Sequence, residues 1–184
     1  MGKKCVITGA GGFVGQALAN NLALDSRVSE IILTDVFEPP APKITNSDRP
    51  MRCVAADLTS KESIQSLFDP SIDCILLLHG IMSSQAEEDF DLGFKVNLDA
   101  TRLILDHLRV TNPGVKVVFT SSTAVYGPPS EPDLALSETF APDPQSSYGA
   151  QKHIIEVLIN DYSRRGFIDG RVVRLPTVSF RIRE

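Results

Sequence analysis

The chain has 184 residues, 42% hydrophobic and 22% charged, which is the composition of a folded globular protein and excludes a disordered or fibrous one. Its 18 Lys and Arg against 23 Asp and Glu give a net charge of −5, and no basic run stands out, so a nucleic-acid footprint and a polybasic membrane patch are excluded. The longest apolar run, Cys74-Ile75-Leu76-Leu77-Leu78, is strand-sized; a bilayer span needs roughly 18 residues. The apolar run after Met1-Gly2-Lys3-Lys4 stops at Thr8-Gly9, too early for a signal peptide. A cytoplasmic, single-domain protein over residues 1–184 is expected.

In chain order, Lys4–Thr8 reads as the first strand. Phe13, Ala17, Leu18 and Leu22 fall at helical spacing and predict a helix over Phe13–Leu24. Glu30–Asp35 is a second strand, and Pro39, Pro40, Pro42 and Pro50 make Phe37–Pro50 a loop. Met51–Ala56 is a third strand, followed by a short helix over Thr59–Phe68 capped by Thr59 or Ser60. Asp73–His79 is a fourth strand. A long helical stretch runs from about Ala86 to Val110, with Gly93 as a point of weakness, and Asn112-Pro113-Gly114 stops it. Val115–Thr120 is a fifth strand. Gly127–Ser147, rich in Pro and acidic residues, reads as an irregular excursion, and loops of that length usually carry function or move. Tyr148–Arg165 is a helix ended by Gly166, and Arg171–Leu175 is a sixth strand. Alternating strands and helices predict a doubly wound parallel sheet in three α/β/α layers. Ligands of such sheets bind beyond the carboxyl ends of the strands, near the topological switch point.

Cys5, Cys53 and Cys74 each sit inside an apolar run and read as small buried hydrophobes on strands. No Cys-x-x-Cys occurs, and His79, His107 and His153 show no ligand spacing, so no metal site is predicted.

The first strand runs into Thr8-Gly9-Ala10-Gly11-Gly12-Phe13-Val14-Gly15. Glycines at 9, 12 and 15 permit a tight turn, close approach to a phosphate and close helix–sheet packing, and the following helix aims its N-terminus at the anion. Asp35 lies twenty residues beyond Gly15, at the distance of a ribose-binding carboxylate. Its charge would accept ribose hydroxyls and repel a 2′-phosphate, which favours NAD over NADP. Asp57-Leu58 ends the third strand and either meets the adenine or simply caps the next helix.

Tyr148 and Lys152 are four residues apart, hence on one helix face. An ammonium beside a phenol favours phenolate, which makes such a tyrosine a proton acceptor for a substrate hydroxyl. Alone, the pair is a weak signal, and a surface tyrosine covered by a lysine stem is the commoner reading. Thr120-Ser121-Ser122-Thr123-Ala124-Val125-Tyr126-Gly127 adds a hydroxyl cluster at the same rim of the sheet.

The glycine triplet, the Ser/Thr cluster before Val-Tyr-Gly and Tyr-x-x-x-Lys, in this order, resemble the extended short-chain dehydrogenase/reductase family, the NAD-dependent epimerase/dehydratase group. The resemblance covers residues 3–178 and implies a Rossmann-type sheet. By it, Ser122, four residues before Tyr126, Tyr148 as general acid/base and Lys152 are catalytic. NAD would meet Gly9, Gly12, Phe13, Val14, Gly15, Asp35, Asp57, Leu58, Gly80, Tyr148, Lys152 and Pro176. Substrate would meet Ser83, Ser84, Ser122, Thr123 and Tyr148. The segments 83–93, 96–102 and 160–167, with Arg174-Leu175-Pro176-Thr177, are similar to D-erythronate and uronate dehydrogenase members of the family. That implies oxidation of a secondary alcohol on a polyhydroxy acid, with Asn97 a structural or active-site amide. His79 stands where these members have a small residue, and is expected to be packed or hydrogen-bonded and not catalytic. The family continues beyond Thr177 into a substrate-binding region, whereas this sequence reads Val178-Ser179-Phe180-Arg181-Ile182-Arg183-Glu184, so a fold largely lacking the C-terminal substrate domain is expected, either of a naturally shortened relative or of a truncated chain. A homodimer through the helices near 94–110 and 148–165 is expected. A non-redox epimerase on the same site and an NAD-binding module with impaired catalysis are the competing functions.

Overall fold

The computed structural model describes residues 2–42, 49–129 and 135–178. Parts of the Phe37–Pro50 loop and the Gly127–Ser147 excursion, and the tail after Val178, lie outside the described residues. The chain runs through β1 (Lys3–Thr8), α1 (Phe13–Leu24), β2 (Val28–Asp35), β3 (Met51–Ala55), α2 (Lys61–Leu67) and β4 (Cys74–Leu77). Three helical pieces follow, α3 (Ser83–Glu88), α4 (Phe90–Gly93) and α5 (Ala100–Thr111), with a π-helical turn over Phe94–Asp99 between the last two. Then come β5 (Val115–Ser122), a 3₁₀ turn (Thr123–Tyr126), α6 (Ser147–Arg164) and β6 (Ile168–Leu175). The strands form one parallel sheet in the order β3-β2-β1-β4-β5-β6. This is the doubly wound Rossmann-type α/β arrangement, and its switch point lies between β1 and β4.

Strands covered on both faces need apolar residues at successive positions. Val6 and Ile7, like Ile31, Ile32 and Leu33, are fully buried. Val6, Ile32, Ile75 and Val117 pack with Ile64, Ile104 and Ile155, from the helices of one layer. Cys5, Ile7, Ile31 and Leu33 pack with Ala19 and Ala23 of α1 on the other face. The β1–β4 register ends at Thr8↔Leu77, so the loops after the two strands leave the sheet side by side.

The expected long helix over 86–110 is corrected in two places. It starts earlier, at Ser83, and breaks at Asp89, which is extended (φ −130°, ψ 92°) and whose carboxylate accepts the Leu92 N–H at 2.9 Å. A local side-chain cap replaced helix continuation there, which apolar spacing does not register. Strand β6 starts three residues before the expected Arg171, because buried Ile168 already pairs with Val115. Gly170 hid this: its backbone lies so close to α6 that a Cβ would come within 2.6 Å of Ile159 Cγ2. Of the two expected caps for α2, Ser60 is the one that accepts an N–H, from Ser63 at 3.3 Å. No helix among the described residues is long and apolar enough to cross a membrane.

Candidate functional site

The loop after β1 is shaped by its glycines. Gly9 has φ +65°, and a Cβ on it would lie 2.7–2.8 Å from the backbone of His79 and Leu78, in the loop after β4. A Cβ on Gly15 would lie 2.6 Å from Gly9 O, so this residue seats α1 directly against the loop. Gly12 is the N-cap of α1; no side chain caps the helix and its first turn carries no acid. That end therefore offers the partial positive charge of a helix N-terminus to an anion. Asp35, at the end of β2, accepts the Gly11 N–H at 3.0 Å through Oδ2 and the Val36 N–H at 2.8 Å through Oδ1. A cavity of about 410 Å³ opens here, lined by Gly9, Gly12, Asp35, Asp57, Leu58 and Gly80 among others. Asp57 does not cap α2, whose N-cap is Ser60. Asp57 lines this cavity, and its Oδ1 accepts Thr59 N–H at 2.9 Å and Thr59 Oγ1–H at 2.8 Å, bonds that keep its carboxyl below the ordinary value.

A second cavity of about 590 Å³ shares the wall Leu78–Ile81 with the first. Ser83, Ser122, Thr123, Tyr148, Lys152, Pro176 and Val14 line it. Of the residues singled out in the sequence, Phe13, Gly15 and Ser84 line neither cavity: Phe13 is 53% exposed, Ser84 is exposed, and Gly15 is buried under the loop.

Tyr148 reaches this cavity because α6 starts against the 3₁₀ turn. Ser146 caps the helix by accepting Gly149 N–H at 3.0 Å, and Gly149 leaves no room for a side chain against Ala124 O. Lys152, one turn on, is 4% exposed. Its ammonium donates to Thr120 O at 2.9 Å and lies 4.7 Å from the Phe119 ring centre and 5.6 Å from that of Tyr148. Burial pushes the lysine down to about 8. The expectation that Lys152 lowers the tyrosine is corrected here: the Tyr148 phenol stands above its ordinary value, burial being the main cause, with Ser122 acting in the opposite direction. Desolvation of the phenolate outweighs the hydrogen bond with Ser122.

Spacing did not reveal the partners behind the cavities. His79 is held at both ring nitrogens, by Thr8 Oγ1 at 2.8 Å and Thr101 Oγ1 at 3.1 Å. Thr101 donates its own proton to Asn97 O at 2.8 Å. Desolvation, then Lys152, pushes the imidazole down to about 3, so it is neutral. The buried Asn97 amide donates to Gln151 Oε1 at 2.7 Å and accepts Ile81 N–H at 2.8 Å, which ties α6 to the shared wall. Behind Ser122, the Arg174 guanidinium grips buried Glu156 twice, at 2.9 and 2.7 Å, and donates to Tyr126 Oη at 2.6 Å. Arg174 was visible in the sequence only as part of the segment 174–177, and Glu156 carried no signal. Among the described residues, no three His, Cys, Asp or Glu side chains gather as a metal set.

The D-erythronate dehydrogenase of Haemophilus influenzae is 46% identical over 180 residues, covering 97% of this chain and 56% of that protein. The crystal structure of the nucleoside-diphosphate-sugar epimerase from Agrobacterium tumefaciens superposes with a TM-score of 0.89 at 38% identity, over 100% of this chain and 55% of that one. MoeE5 in complex with UDP-glucose and NAD superposes with a TM-score of 0.74 at 26% identity, over 92% of this chain and 52% of that one. The chain thus spans about half the length of the relatives it matches. Residues 5–179 match the NAD dependent epimerase/dehydratase family, and with the switch-point glycines and the Ser122–Tyr148–Lys152 wall in adjoining cavities, the chain belongs to that family.

Proposed function

We propose that the chain is the cofactor-binding and catalytic half of an NAD-dependent oxidoreductase that oxidises a secondary alcohol of a sugar acid or similar polyol. The observation that carries the reading is that the two cavities adjoin at Leu78–Ile81, with glycines and Asp35 in one and Ser122, Tyr148 and Lys152 in the other. The uncapped N-terminus of α1 and the side-chain-free cradle at Gly9 fit a pyrophosphate, and Asp35 fits ribose hydroxyls. The likeness to the H. influenzae D-erythronate dehydrogenase supports a sugar-acid substrate, and NAD in MoeE5 supports the cofactor.

When bound, NAD supplies a hydride acceptor at its nicotinamide ring. Ser122 holds the substrate oxygen, and Tyr148 removes the hydroxyl proton at its phenolic oxygen as general base. Lys152 anchors the nicotinamide ribose, while Ser83 and Thr123 orient the substrate. Asp35 accepts hydrogen bonds from the adenosine ribose and repels a 2′-phosphate. Because the free phenol stands above its ordinary value, kcat/KM is expected to rise with pH on the alkaline side. Exposed Val110, Ile154 and Val157 on α5 and α6 support a homodimer through these helices, and three free thiols fit a cytoplasmic setting.

NADH formation at 340 nm is measured with NAD and a panel including D-erythronate and uronates, beside Tyr148→Phe. The reading expects turnover in the parent and a loss of about 10²–10⁴-fold in the variant with NAD affinity kept. NAD binding with no net NADH, but interconversion of substrate stereoisomers, would replace it with the epimerase reading, which the likeness to the A. tumefaciens epimerase favours. Binding with neither reaction would leave an NAD-binding module.

A further inference from the structure

At the opposite end of the sheet from the candidate site, a depression of about 1080 Å³ has both Cys5 and Cys74 in its wall. The two are register partners on the adjacent parallel strands β1 and β4. Both face the α1 side of the sheet, in the same apolar cluster, and both are free thiols. Neighbouring strands run about 4.7–4.9 Å apart, which falls within the roughly 4.4–6.8 Å between Cα atoms that a disulfide requires. Cys53 has no such neighbour: it lies on β3, which β2 separates from β1. Exposure divides the roles, since Cys5 is 4% exposed and Cys74 is half-buried on the rim.

We propose that Cys5 and Cys74 form a dithiol modification site that closes to an intramolecular disulfide on reaction with a small disulfide oxidant. The Cys74 thiolate attacks one sulfur of the oxidant, forming a mixed disulfide and releasing the first thiol. The Cys5 thiol then gives up its proton and displaces the second thiol, which closes the Cys5–Cys74 bond. Two electrons pass from the protein thiols to the oxidant's S–S bond, and their two protons leave with the two released thiols. The local electrostatics agree with this order. The neighbouring Cys5 thiol, and then Lys116 and Lys3, hold Cys74 below the ordinary thiol value against its burial, whereas Cys5 is pushed up by Cys74 and by desolvation. The proposal stands independently of the NAD chemistry at the other end of the strands.

The test incubates the native chain with oxidised glutathione, counts free thiols and maps unreduced peptides by mass spectrometry. Free thiols are expected to fall from three to one per chain, with a Cys5–Cys74 linked peptide that a reducing agent removes. The link is expected to persist in Cys53→Ser, and Cys5→Ser is expected to hold glutathione on Cys74. Three thiols still free, glutathione resting on Cys74 of the parent chain without closure, or modification confined to Cys53 would each overturn the proposal. The peptide map of the parent chain decides the matter even where a variant fails to fold.

Discussion

The two cavities that meet at Leu78–Ile81 are built from different materials. The one at Gly9 and Asp35 is a backbone construction: its shape depends on missing side chains, and the Asp35 and Asp57 carboxylates supply its fixed charge. The one at Ser122 and Tyr148 is a side-chain construction, in which a buried ammonium is held by Thr120 O beside a raised phenol, and an Arg–Glu pair anchors Tyr126 of the turn after Ser122. Sterics govern the first and desolvation governs the second, so they should fail in different ways.

The largest expected effect is on the second cavity. Arg174→Met leaves Glu156, 4% exposed on its side chain, without its partner, and removing one member of a buried pair costs about 3–5 kcal/mol. Chemical denaturation should register that loss, and NADH formation should fall with it because Tyr126 and the turn after Ser122 lose their anchor. Gly9→Ala is the counterpart in the first cavity. A side chain at φ +65° against the 78–79 backbone is strained by about 1–3 kcal/mol before the clash is counted. Calorimetry should show at least a tenfold loss of NAD affinity, whereas Arg174→Met should leave NAD affinity nearly intact in the folded fraction.

Lys152→Met sharpens the contrast by changing sign. A lysine lowered from 10.5 to about 8 costs the fold on the order of 3 kcal/mol where it is charged, and the cost disappears as pH rises from 8 to 10.5. The variant, less the bond to Thr120 O, should gain about 1–2 kcal/mol at pH 7 and lose that advantage by pH 10.5, while NADH formation falls at least a hundredfold. His79→Ala acts on the shared wall and should have the smallest effect, about 1–2 kcal/mol at pH 8 for two lost hydrogen bonds. Because the folded imidazole is held near 3, the unfolded chain binds its proton first as pH falls below 6.5, and the parent loses stability down to pH 3. The difference between parent and variant should therefore narrow over that window.

The same division explains what could be read from the sequence. Strand β1, helix α1 with both its ends, the glycine turn and the placement of Asp35 follow from local rules, since each is set by neighbours within about twenty residues. The Tyr148–Lys152 spacing was legible, but the state of the pair was not, because burial depends on Phe119 and Thr120 from another strand. Glu156 on α6 looked like any solvated helix acid until β6 brought Arg174 beside it. His79 was legible as a packed side chain, but its hydroxyl partners come from β1 and α5, 71 and 22 residues away. Asp89 escaped because its cap interrupts a pattern that is otherwise periodic.

The π-helical turn at Phe94–Asp99 amounts to one residue more than a straight α-helix needs, and an α-helix advances about 100° per residue. The faces before and after it are therefore out of phase, and the extra residue lets Asn97 turn inward toward Ile81 and Gln151 while Ile104 and Leu108 still face the sheet. Deleting one residue in this stretch would give a more regular rod with better hydrogen bonding and a worse site, because whichever face regained its alignment would carry the other off target. An alignment that closes the apparent insertion with a gap would make the same error on paper, shifting every position of α4 or α5 by a quarter turn.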